Sequence, residues 1–380
     1  MSFGFTNPEK SFKFIDDENP LFLSSQLITY IGNKRKLLSF IEEALYVVKD
    51  DLKKSKLNIL DGFAGSGVVS RFFKKHASKL YTNDLEDYVG VINSCYLSNK
   101  SDVNEKEIKD GIDYLNSIRK NNIKNGIIRE YYSPKNESNI QLDDRCFYTN
   151  ENASIIDSIR SEIDGMNNKE FYLAPLLYKA SVNNNTSGVF KGFYKDKLTK
   201  LGKFGGTNSD ALSRITDEII LPYPILSNYE CDTIISKGDT GEIVKGINEL
   251  DLAYFDPPYN QHPYGSNYFM LNVILKNSLN IDSISKVSGI PNDWNKSDWN
   301  KNAKVKESLE SLILNTNAKF ILISYNNEGY LSETDFFDVM SKYGTIQSFE
   351  KEYSVFKGGN IKSNNRSNKV KELLFLLKKK

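Results

Sequence analysis

Histidine and cysteine are scarce in this 380-residue chain, which has two of the first and three of the second. The cysteines Cys95, Cys146 and Cys231 are far apart and odd in number, which argues against a disulfide framework. Together with His76 and His262 they do not make the clustered ligand set of a zinc site. We therefore predict no bound metal, no metal-dependent chemistry and a reducing, cytoplasmic compartment.

Long apolar runs and an excess of one charge are also missing. No run approaches the length of a membrane span, and the N-terminus lacks the basic-then-apolar pattern of a signal peptide. The formal net charge is only +1, so nothing global indicates a nucleic-acid partner. Hydrophobic residues at 39% and charged residues at 26% predict a globular protein with a real core and no membrane partner.

Lysine is nevertheless concentrated in two segments. Five lysines lie between Lys191 and Lys203, where Asp196 is the only acid. The segment Lys357–Lys380 holds seven lysines and one arginine against Glu372. Local basic faces of this kind can contact phosphates on an otherwise neutral protein. Ordinary solvated lysines explain either segment equally well when it is taken alone.

A short apolar run, Leu252–Phe255, is followed directly by Asp256, two prolines and Tyr259. The run is typical of a buried strand, and Pro257 and Pro258 end it because neither can donate to a sheet ladder. An acid and an aromatic ring are therefore expected at the carboxyl edge of a sheet, where open α/β folds bind ligands. Asp256 and the Pro257 carbonyl can accept two amine hydrogens, and Tyr259 can stack on a planar ring. A purely structural turn is the alternative.

The stretch Asp61-Gly62-Phe63-Ala64-Gly65-Ser66-Gly67 follows a predicted strand, 57–60, and precedes a predicted helix that runs through Lys75. A glycine-rich turn from strand to helix is the cofactor corner of a Rossmann-like sheet. Ser70 replaces the third glycine of the dinucleotide fingerprint, and Asp61 would repel a pyrophosphate. The corner therefore favours a cofactor with a positively charged amino acid end.

Two further features flank this corner. Asp84 ends a predicted strand, 79–82, and lies 23 residues after Asp61, near the spacing of about 20 residues expected for an acid that binds ribose hydroxyls. Upstream, Tyr30 and Lys34 stand at the start of a predicted amphipathic helix, 34–54. A helix N-cap at Asp84 and an ordinary helix start at Lys34 are the alternatives.

From residue 96 to 225 the alternation of strands and helices stops. The segment is polar, with helix-like stripes at 108–118 and 155–163. Its Asn-rich part, Ser181–Lys195, predicts a hairpin or exposed loop, and Asn183, Asn185, Lys191 and Lys195 are of the types that read bases and contact phosphates. A merely solvated insertion is the competing interpretation. We predict a catalytic domain of residues 1–95 and 226–380 and an inserted DNA-binding domain of residues 96–225.

After residue 229 the alternation resumes, which predicts an α/β fold. Strands are expected at 233–235, 252–255, 320–324, 346–356 and 373–377, and helices through Ile247, at 305–314 and at 335–342. The aromatic segment 260–269 is predicted to be a lid. The first twenty residues are predicted to be an irregular arm.

Taken in order, these segments resemble the adenine-specific amino DNA methyltransferases. The resemblance is to the subgroup of the Dam and FokI methylases, in which the cofactor motifs precede the target-recognition insert and the catalytic motif follows it. The match covers most of the chain from Leu27 to Leu377. Thr240 stands after Asp239 where the subgroup usually has an aromatic residue, and the insert is longer and more polar than in the smallest members.

The resemblance implies a Rossmann-like class I methyltransferase sheet with a largely helical insert, and S-adenosyl-L-methionine as cofactor. It assigns the cofactor to Tyr30, Lys34, Asp61, Phe63, Gly65, Gly67, Asp84 and Asp239. It assigns catalysis to Asp256, Pro257, Pro258 and Tyr259, acting on the N6 amine of an adenine flipped out of duplex DNA. It assigns DNA contacts to the region that contains Asn183 and Asn185.

The resemblance also implies a role in a restriction-modification system, with a restriction endonuclease that acts on the same site without a stable complex. We expect a monomer. The alternatives are an RNA base methyltransferase, which the long insert disfavours, and a cytosine-amine methyltransferase, which usually has serine in place of Asp256. A non-catalytic DNA-binding subunit would be expected to have lost Asp256 or a glycine of the corner.

Overall fold

The structure is a computed structural model that describes residues 17–118, 123–206, 209–354 and 369–380. Residues 1–16 of the predicted arm and residues 357–368 of the C-terminal basic segment lie outside these ranges. Among the described residues, no helix combines the length and apolar character needed to cross a bilayer.

A seven-stranded sheet forms the centre of the protein, in the order β3-β2-β1-β4-β5-β7-β6. Strands β1 to β5 pair in parallel, and β7 pairs antiparallel with both β5 and β6. The strands are β1 (Leu57–Asp61), β2 (Ala77–Asp84), β3 (Asp232–Lys237), β4 (Leu250–Phe255), β5 (Ala318–Asn326), β6 (Gly344–Ser354) and β7 (Lys369–Lys379). This sheet confirms the predicted Rossmann-like α/β class.

Fourteen α-helices surround the sheet in the described part of the chain. The helices before the insert are α1 (Pro20–Ser24), α2 (Leu38–Leu52), α3 (Val68–Lys74) and α4 (Asp87–Tyr96). Those of the insert are α5 (Glu105–Ile118), α6 (Ile127–Tyr131), α7 (Asn150–Ile163), α8 (Glu170–Val182) and α9 (Leu212–Thr216). The last five are α10 (Thr240–Ile243), α11 (Tyr264–Asn267), α12 (Phe269–Lys276), α13 (Asn302–Asn315) and α14 (Glu333–Met340).

Side chains alternate between the two faces of the sheet, because successive residues of a strand point in opposite directions. Leu252 of β4 and Leu374 of β7 pack with α2 and α3 on one face. Ala253 and Phe375 pack with α13 and α14 on the other face. The sheet is therefore buried on both sides, as parallel sheets require.

Within its described residues, the insert does not have a hydrophobic core of its own, separate from that of the rest of the protein. One hydrophobic cluster joins Ile112 of α5, Ile159 of α7 and Leu177 of α8 to Ile92 of α4 and Met270 of α12. Helices from both sides of the proposed domain boundary thus bury the same apolar surface. The boundaries at residues 95 and 226 remain a prediction.

Three segments differ from the expectations. The segment predicted to be a lid contains α11 and runs directly into α12, which the pattern did not predict. Helix α8 also escaped prediction, because it is apolar on most sides and contains Pro175. The helix expected to run through Ile247 is the short α10 followed by a 3-10 turn, Val244–Gly246.

Candidate functional site

A cleft of about 830 Å³ lies at the carboxyl ends of the parallel strands, with walls contributed by residues that follow β1, β2, β3 and β4. The strand order turns here, with β2 on one side of β1 and β4 on the other, which is where open α/β sheets bind ligands. The expected site residues that line this cleft are Tyr30, Lys34, Phe63, Gly65, Asp84, Asp239, Asp256 and Pro258.

The glycine corner takes the form that the sequence predicts. Gly65 and Gly67 have φ values of +53° and +75°, a region that strongly favours glycine. The Asp84 carboxylate accepts hydrogen bonds from the amides of Gly65 (2.9 Å) and Glu86 (3.0 Å). A Cβ at Gly65 would lie 2.9 Å from the Tyr30 ring, so this glycine also allows that ring to approach. Asp84 therefore shapes the corner, and its oxygens have further lone pairs for a ligand.

Asp61 lies at the end of β1, fully buried. One of its oxygens accepts a hydrogen bond from Ser70 Oγ at 2.6 Å, and Ser70 Oγ is 3.0 Å from Thr82 Oγ1. Its other oxygen, Oδ1, is buried without a hydrogen-bond partner. Burial raises the pKa of Asp61 to about 7, although the bond from Ser70 opposes the shift. Ser70, which departs from the dinucleotide fingerprint, thus has a specific role in holding this acid.

Lys34 is buried between two carboxylates. Its Nζ lies 2.5 Å from Glu372 Oε1 of β7 and 3.2 Å from Asp256 Oδ1, which follows β4. Ser324 Oγ of β5 donates to the same Glu372 oxygen at 2.6 Å. The contact between Lys34 and Asp256 lacks hydrogen-bond alignment, so Asp256 Oδ1 remains a buried acceptor without a hydrogen bond.

Alternation along the strands explains why these groups meet. Asp256 comes two residues after Tyr254 and four after Leu252, and Glu372 comes two residues before Leu374. Side chains at such even spacings point to the same face of a sheet, here the face covered by α2. Lys34 stands in the 3-10 turn Lys34–Leu37, which leads into α2. The turn, β4 and β7 therefore direct three charged side chains to one point.

Burial dominates the electrostatics of this cluster. It raises the pKa of Asp256 to about 7, with the Lys34 ammonium opposing the shift and Glu372 adding to it. Burial alone would lower the pKa of Lys34, but Asp256 and Glu372 together raise it well above its usual value. Lys34 consequently keeps its charge, while Asp256 changes charge near neutral pH.

Tyrosine rings gather beside the cluster. Tyr30 stacks on Tyr264 and Tyr268, with ring centroids 4.9 and 4.7 Å apart. The Tyr259 ring meets Tyr325 edge to face at 5.5 Å. Gly32 has a φ of +76°, and a Cβ there would lie 3.3 Å from the hydroxyls of both Tyr259 and Tyr264. The half-buried Tyr259 thus stands at the edge of an aromatic surface suited to a planar ring.

Asp239 lies at the mouth of the cleft and caps α10, accepting from the Gly241 amide at 2.9 Å. Thr240, in the position where an aromatic residue is usual, donates to the Gly62 carbonyl at 2.7 Å. A Cβ at Gly62 would lie 2.9 Å from the Thr240 side chain. The small threonine therefore ties the end of β3 to the glycine corner.

The Asn-rich loop is not exposed as expected. Asn183 and Asn185 are at most 1% exposed. The Asn183 amide nitrogen donates to the Asp217 carbonyl at 2.8 Å, and that of Asn185 donates to the Cys146 carbonyl at 2.8 Å. The expectation of surface side chains at these positions was wrong, because asparagine also satisfies buried loop carbonyls.

Lys191 and Lys195 are exposed. Lys191 Nζ lies 3.5 Å from Nδ1 of His262, in the segment that follows Tyr259. Lys195 Nζ lies 4.9 Å from the centre of the Phe193 ring. Lys191 thus lies on a surface next to the segment that follows Tyr259.

Two acidic residues of the site, Glu372 and Glu86, were not identified from the sequence. Glu372 gives little signal in the sequence, because it lies beside an apolar run of an antiparallel strand. Glu86 lines the cleft, accepts from Asn272 Nδ2 at 2.7 Å and has a pKa that burial raises to about 7. Its position two residues after Asp84, at the same end of β2, was the available signal.

The cleft is therefore predominantly acidic. Among the described residues, Asp84, Glu86, Asp239 and Asp256 line it, and Lys34 is the one cation of the lining. Such a lining attracts a positively charged ligand and disfavours a pyrophosphate. Among the described residues no group of histidine, cysteine and acidic side chains is arranged to hold a metal ion.

Comparison with known proteins agrees with this chemistry. The sequence profile of the D12 class N6 adenine-specific DNA methyltransferases matches residues 30–339. The type II methyltransferase M.NlaIII of Neisseria lactamica is 28% identical over 362 residues, 93% of this chain and 99% of that protein. The type II methyltransferase M.CviAII of Paramecium bursaria Chlorella virus 1 is 30% identical over 359 residues, 92% of this chain and 98% of that protein.

The modification methylase StsI of Streptococcus sanguinis is 28% identical over 372 residues, 92% of this chain but only 52% of that longer protein. The matched profile covers both the glycine corner and the segment Asp256–Tyr259. With its sheet, its acidic cleft and this match, the chain belongs to the D12 class of N6 adenine-specific DNA methyltransferases.

Proposed function

We propose that this protein is the modification methylase of a type II restriction-modification system, in the subgroup that resembles the Dam and FokI methylases. It transfers a methyl group from S-adenosyl-L-methionine to the N6 amine of a flipped adenine in a specific duplex sequence. The observation that carries the proposal is the partly exposed Asp256 beside Lys34, whose buried Oδ1 lacks a hydrogen bond, in the lining of an acidic cleft.

The cofactor binds in the acidic cleft. When bound, S-adenosyl-L-methionine supplies a methyl group on a positively charged sulfur. Asp84, which lines the cleft, would bind the ribose hydroxyls, and the turn that contains Gly65 and Gly67 would lie against the cofactor. Asp239 would contact the cofactor at the mouth of the cleft, and Phe63, whose ring meets that of Trp299 edge to face at 5.6 Å, forms an apolar wall.

Asp61 and Lys34 complete the environment of the cofactor. Asp61 adds a buried carboxyl beneath the corner, and its unused Oδ1 suits a positively charged amino group. Tyr30 holds the corner from the side, through its contact with Gly65. Lys34 links the cleft to Asp256 through the ion pair.

Asp256 acts on the target amine. The lone pair of an adenine amine is conjugated with the ring, so the nitrogen is a poor nucleophile. Asp256 and the Pro257 carbonyl, accepting its two hydrogens, favour the tetrahedral nitrogen whose lone pair can attack. This stabilisation is greatest in the transition state. The proton leaves after transfer has made the nitrogen acidic, so Asp256 need not be a strong base.

Tyr259 receives the base. Inside a duplex the amine is out of reach, and extruding the nucleotide costs a few kcal/mol. Tyr259 offsets part of this cost by stacking on the adenine, and Pro257 and Pro258 restrict the segment that carries it. Its main-chain carbonyl accepts from the Tyr330 amide at 3.2 Å, which fixes the segment from behind.

The insert presents the DNA-contacting surface. We propose that Lys191 and Lys195 contact phosphates and that Asn183 and Asn185 shape the loop beneath them instead of reading bases. The protein works as a monomer in the cytoplasm. A cognate endonuclease recognises the same sequence without forming a stable complex with it.

Methylome sequencing of a host that expresses this chain tests the proposal directly. We expect N6-methyladenine at one fixed position of one short DNA sequence, absent from the same host without the chain. The appearance of methylated cytosine, of methylated RNA alone, or of no modification from a folded protein would contradict it.

Asp256→Ala is expected to abolish methyl transfer, because the amine loses its charged acceptor. Cofactor affinity should stay within about tenfold, since the other cleft residues remain. Transfer of labelled methyl groups and titration calorimetry measure the two effects. Asp338→Ala, which removes an exposed acid of α14, is the matched control. Full activity in Asp256→Ala would refute the assignment.

Lys191→Ala and Lys195→Ala should each weaken DNA binding about equally on all sequences. Each should also reduce the slope of log affinity against log salt by about one, the loss expected for one phosphate contact. Binding measured from 50 to 200 mM salt checks this. Lys304→Ala, on α13, should leave the slope unchanged. The same slope in all three variants would show that the two insert lysines are only solvated.

A further inference from the structure

The basic part of the insert is a rigid hairpin, here called the lysine hairpin, of residues 195–203. Lys195 and Gly202 pair across it, and the Asp196 amide donates to the Leu201 carbonyl at 2.8 Å. At its tip Asp196 Oδ1 accepts from the amides of Leu198 and Thr199, both at 2.9 Å. The only acid of the hairpin is thus used to build its turn.

Leu198 occupies the tip of the lysine hairpin and is 92% exposed, more than any other large apolar residue in the described part of the chain. Single exposed apolar residues are common and by themselves indicate nothing. Here, however, the other exposed side chains of the hairpin are Thr199 and four lysines, at 195, 197, 200 and 203. An apolar tip among cations matches a ligand with an apolar interior and an anionic border.

The hairpin is fixed to the catalytic side of the protein. Its base packs on Cys146, because a Cβ at Gly202 would lie 2.3 Å from the Cys146 sulfur. Just before it, the Phe190 amide donates to the Asn267 carbonyl of α11 at 2.7 Å, and Lys191 approaches His262. The tip is therefore carried by structure that also holds the segment after Tyr259.

We propose that Leu198 is a wedge that enters the base stack of duplex DNA and stabilises the gap opened by extrusion of the target adenine. This inference rests on the proposed function and extends it to a named residue of the insert. Leucine is among the side chains that proteins insert between base steps. The surrounding lysines would hold the flanking phosphates while the rigid turn presents the side chain.

Leu198→Ser tests the wedge on duplex DNA that contains the recognised sequence. Flipping is followed by the fluorescence of 2-aminopurine at the target position, and methylation is measured on the same duplex with adenine there, since 2-aminopurine has no 6-amino group to accept a methyl group. We expect flipping and the methylation rate to fall about tenfold or more, as loss of a buried leucine implies. On a duplex with an abasic nucleotide opposite the target, where opening costs less, the loss should shrink to within about twofold.

Leu142→Ser is the matched control, since Leu142 is 73% exposed in the same insert but outside the lysine hairpin. It should behave like the unmodified protein on both duplexes. Unchanged flipping by Leu198→Ser, or an equal loss on both duplexes, would overturn the wedge. Neither outcome would contradict the proposed function, which is tested separately by the methylation activity of the unmodified protein.

A second observation is independent of the hairpin. Glu372 is fully buried in β7, and its Oε1 receives both Lys34 Nζ at 2.5 Å and Ser324 Oγ at 2.6 Å. It lies beyond residues 30–339, the part that the family profile matches. Lys34 is thus drawn more closely to Glu372 than to Asp256, from which it lies 3.2 Å away.

We infer that Glu372 is a positioning residue, which holds Lys34 back so that the Asp256 carboxylate stays free for the target amine. Without that anion, Lys34 would pair fully with Asp256 and compete with the adenine for its oxygens. This inference too depends on the proposed role of Asp256. The titratable groups around Asp256 are Lys34, Asp61, Tyr254, Tyr259, Tyr264 and Glu372.

Glu372→Gln removes the charge and keeps the shape. We expect kcat to fall about tenfold or more while the KM for the cofactor changes less than threefold. In the unmodified enzyme, Asp256 must be ionised to accept the amine, so kcat should rise with pH as Asp256 loses its proton. This rise of kcat with pH, called the acid limb of the profile, should move to lower pH in the variant. The Glu372 carboxylate raises the pKa of Asp256, and glutamine removes that negative charge.

Asp61 also has a pKa near 7, so the profiles are measured at saturating cofactor and cofactor affinity is titrated separately across pH. Glu350→Gln, which removes an exposed carboxylate of β6 that pairs with Lys371 at 2.6 Å, should leave kcat and the limb unchanged. An unchanged kcat, or a loss without movement of the limb, would reduce Glu372 to a structural residue. Inactive unmodified enzyme would instead refute the proposed function.

Discussion

The burial of one charge, the Lys34 ammonium, constrains the whole site. An isolated ammonium at this depth would lose its proton, and only nearby anions prevent it. Those anions come from Asp256 and Glu372, which are 116 residues apart in the sequence and meet only when β4 and β7 stand on either side of β5. The antiparallel β7 is therefore part of the active site as well as of the sheet. Removing both anions would leave a buried charge uncompensated.

The same burial makes the cleft responsive to its ligand. The pKa values of Asp61, Glu86 and Asp256 are each raised to about 7, chiefly by desolvation. Their ionised forms are costly in the ligand-free protein, and a cation bound among them would offset that cost. An acidic cleft of this kind favours a positively charged methyl donor over its neutral product. Electrostatics thus links the choice of cofactor to the release of what remains after transfer.

Local features of the sequence predicted much of this site, and long-range features did not. The glycine corner and the segment Asp256–Tyr259 are readable because strand, turn and chemistry fall within a few residues. Glu372 is not, because its role depends on a strand pairing that no local pattern reveals. The asparagines of the insert were wrongly predicted to be exposed. The side chain that can read a base can also donate to buried carbonyls, as that of Asn185 does. Helix α8 was not predicted for a related reason. Because it is buried on most sides, its apolar residues do not recur with the spacing of an amphipathic helix.

The insert and the cofactor corner are physically continuous through a few aromatic rings. Tyr268 is packed in the cluster that α12 shares with α7 and α8, and it stacks on Tyr30. Tyr30 in turn contacts Gly65 of the corner. A shift of α12 would reach the corner through these rings, because packed interiors transmit displacement. Since α11 and α12 come soon after Tyr259 in the chain, the segment Asp256–Tyr259 adjoins that same connection. The insert, the segment Asp256–Tyr259 and the glycine corner are therefore joined through one packed unit.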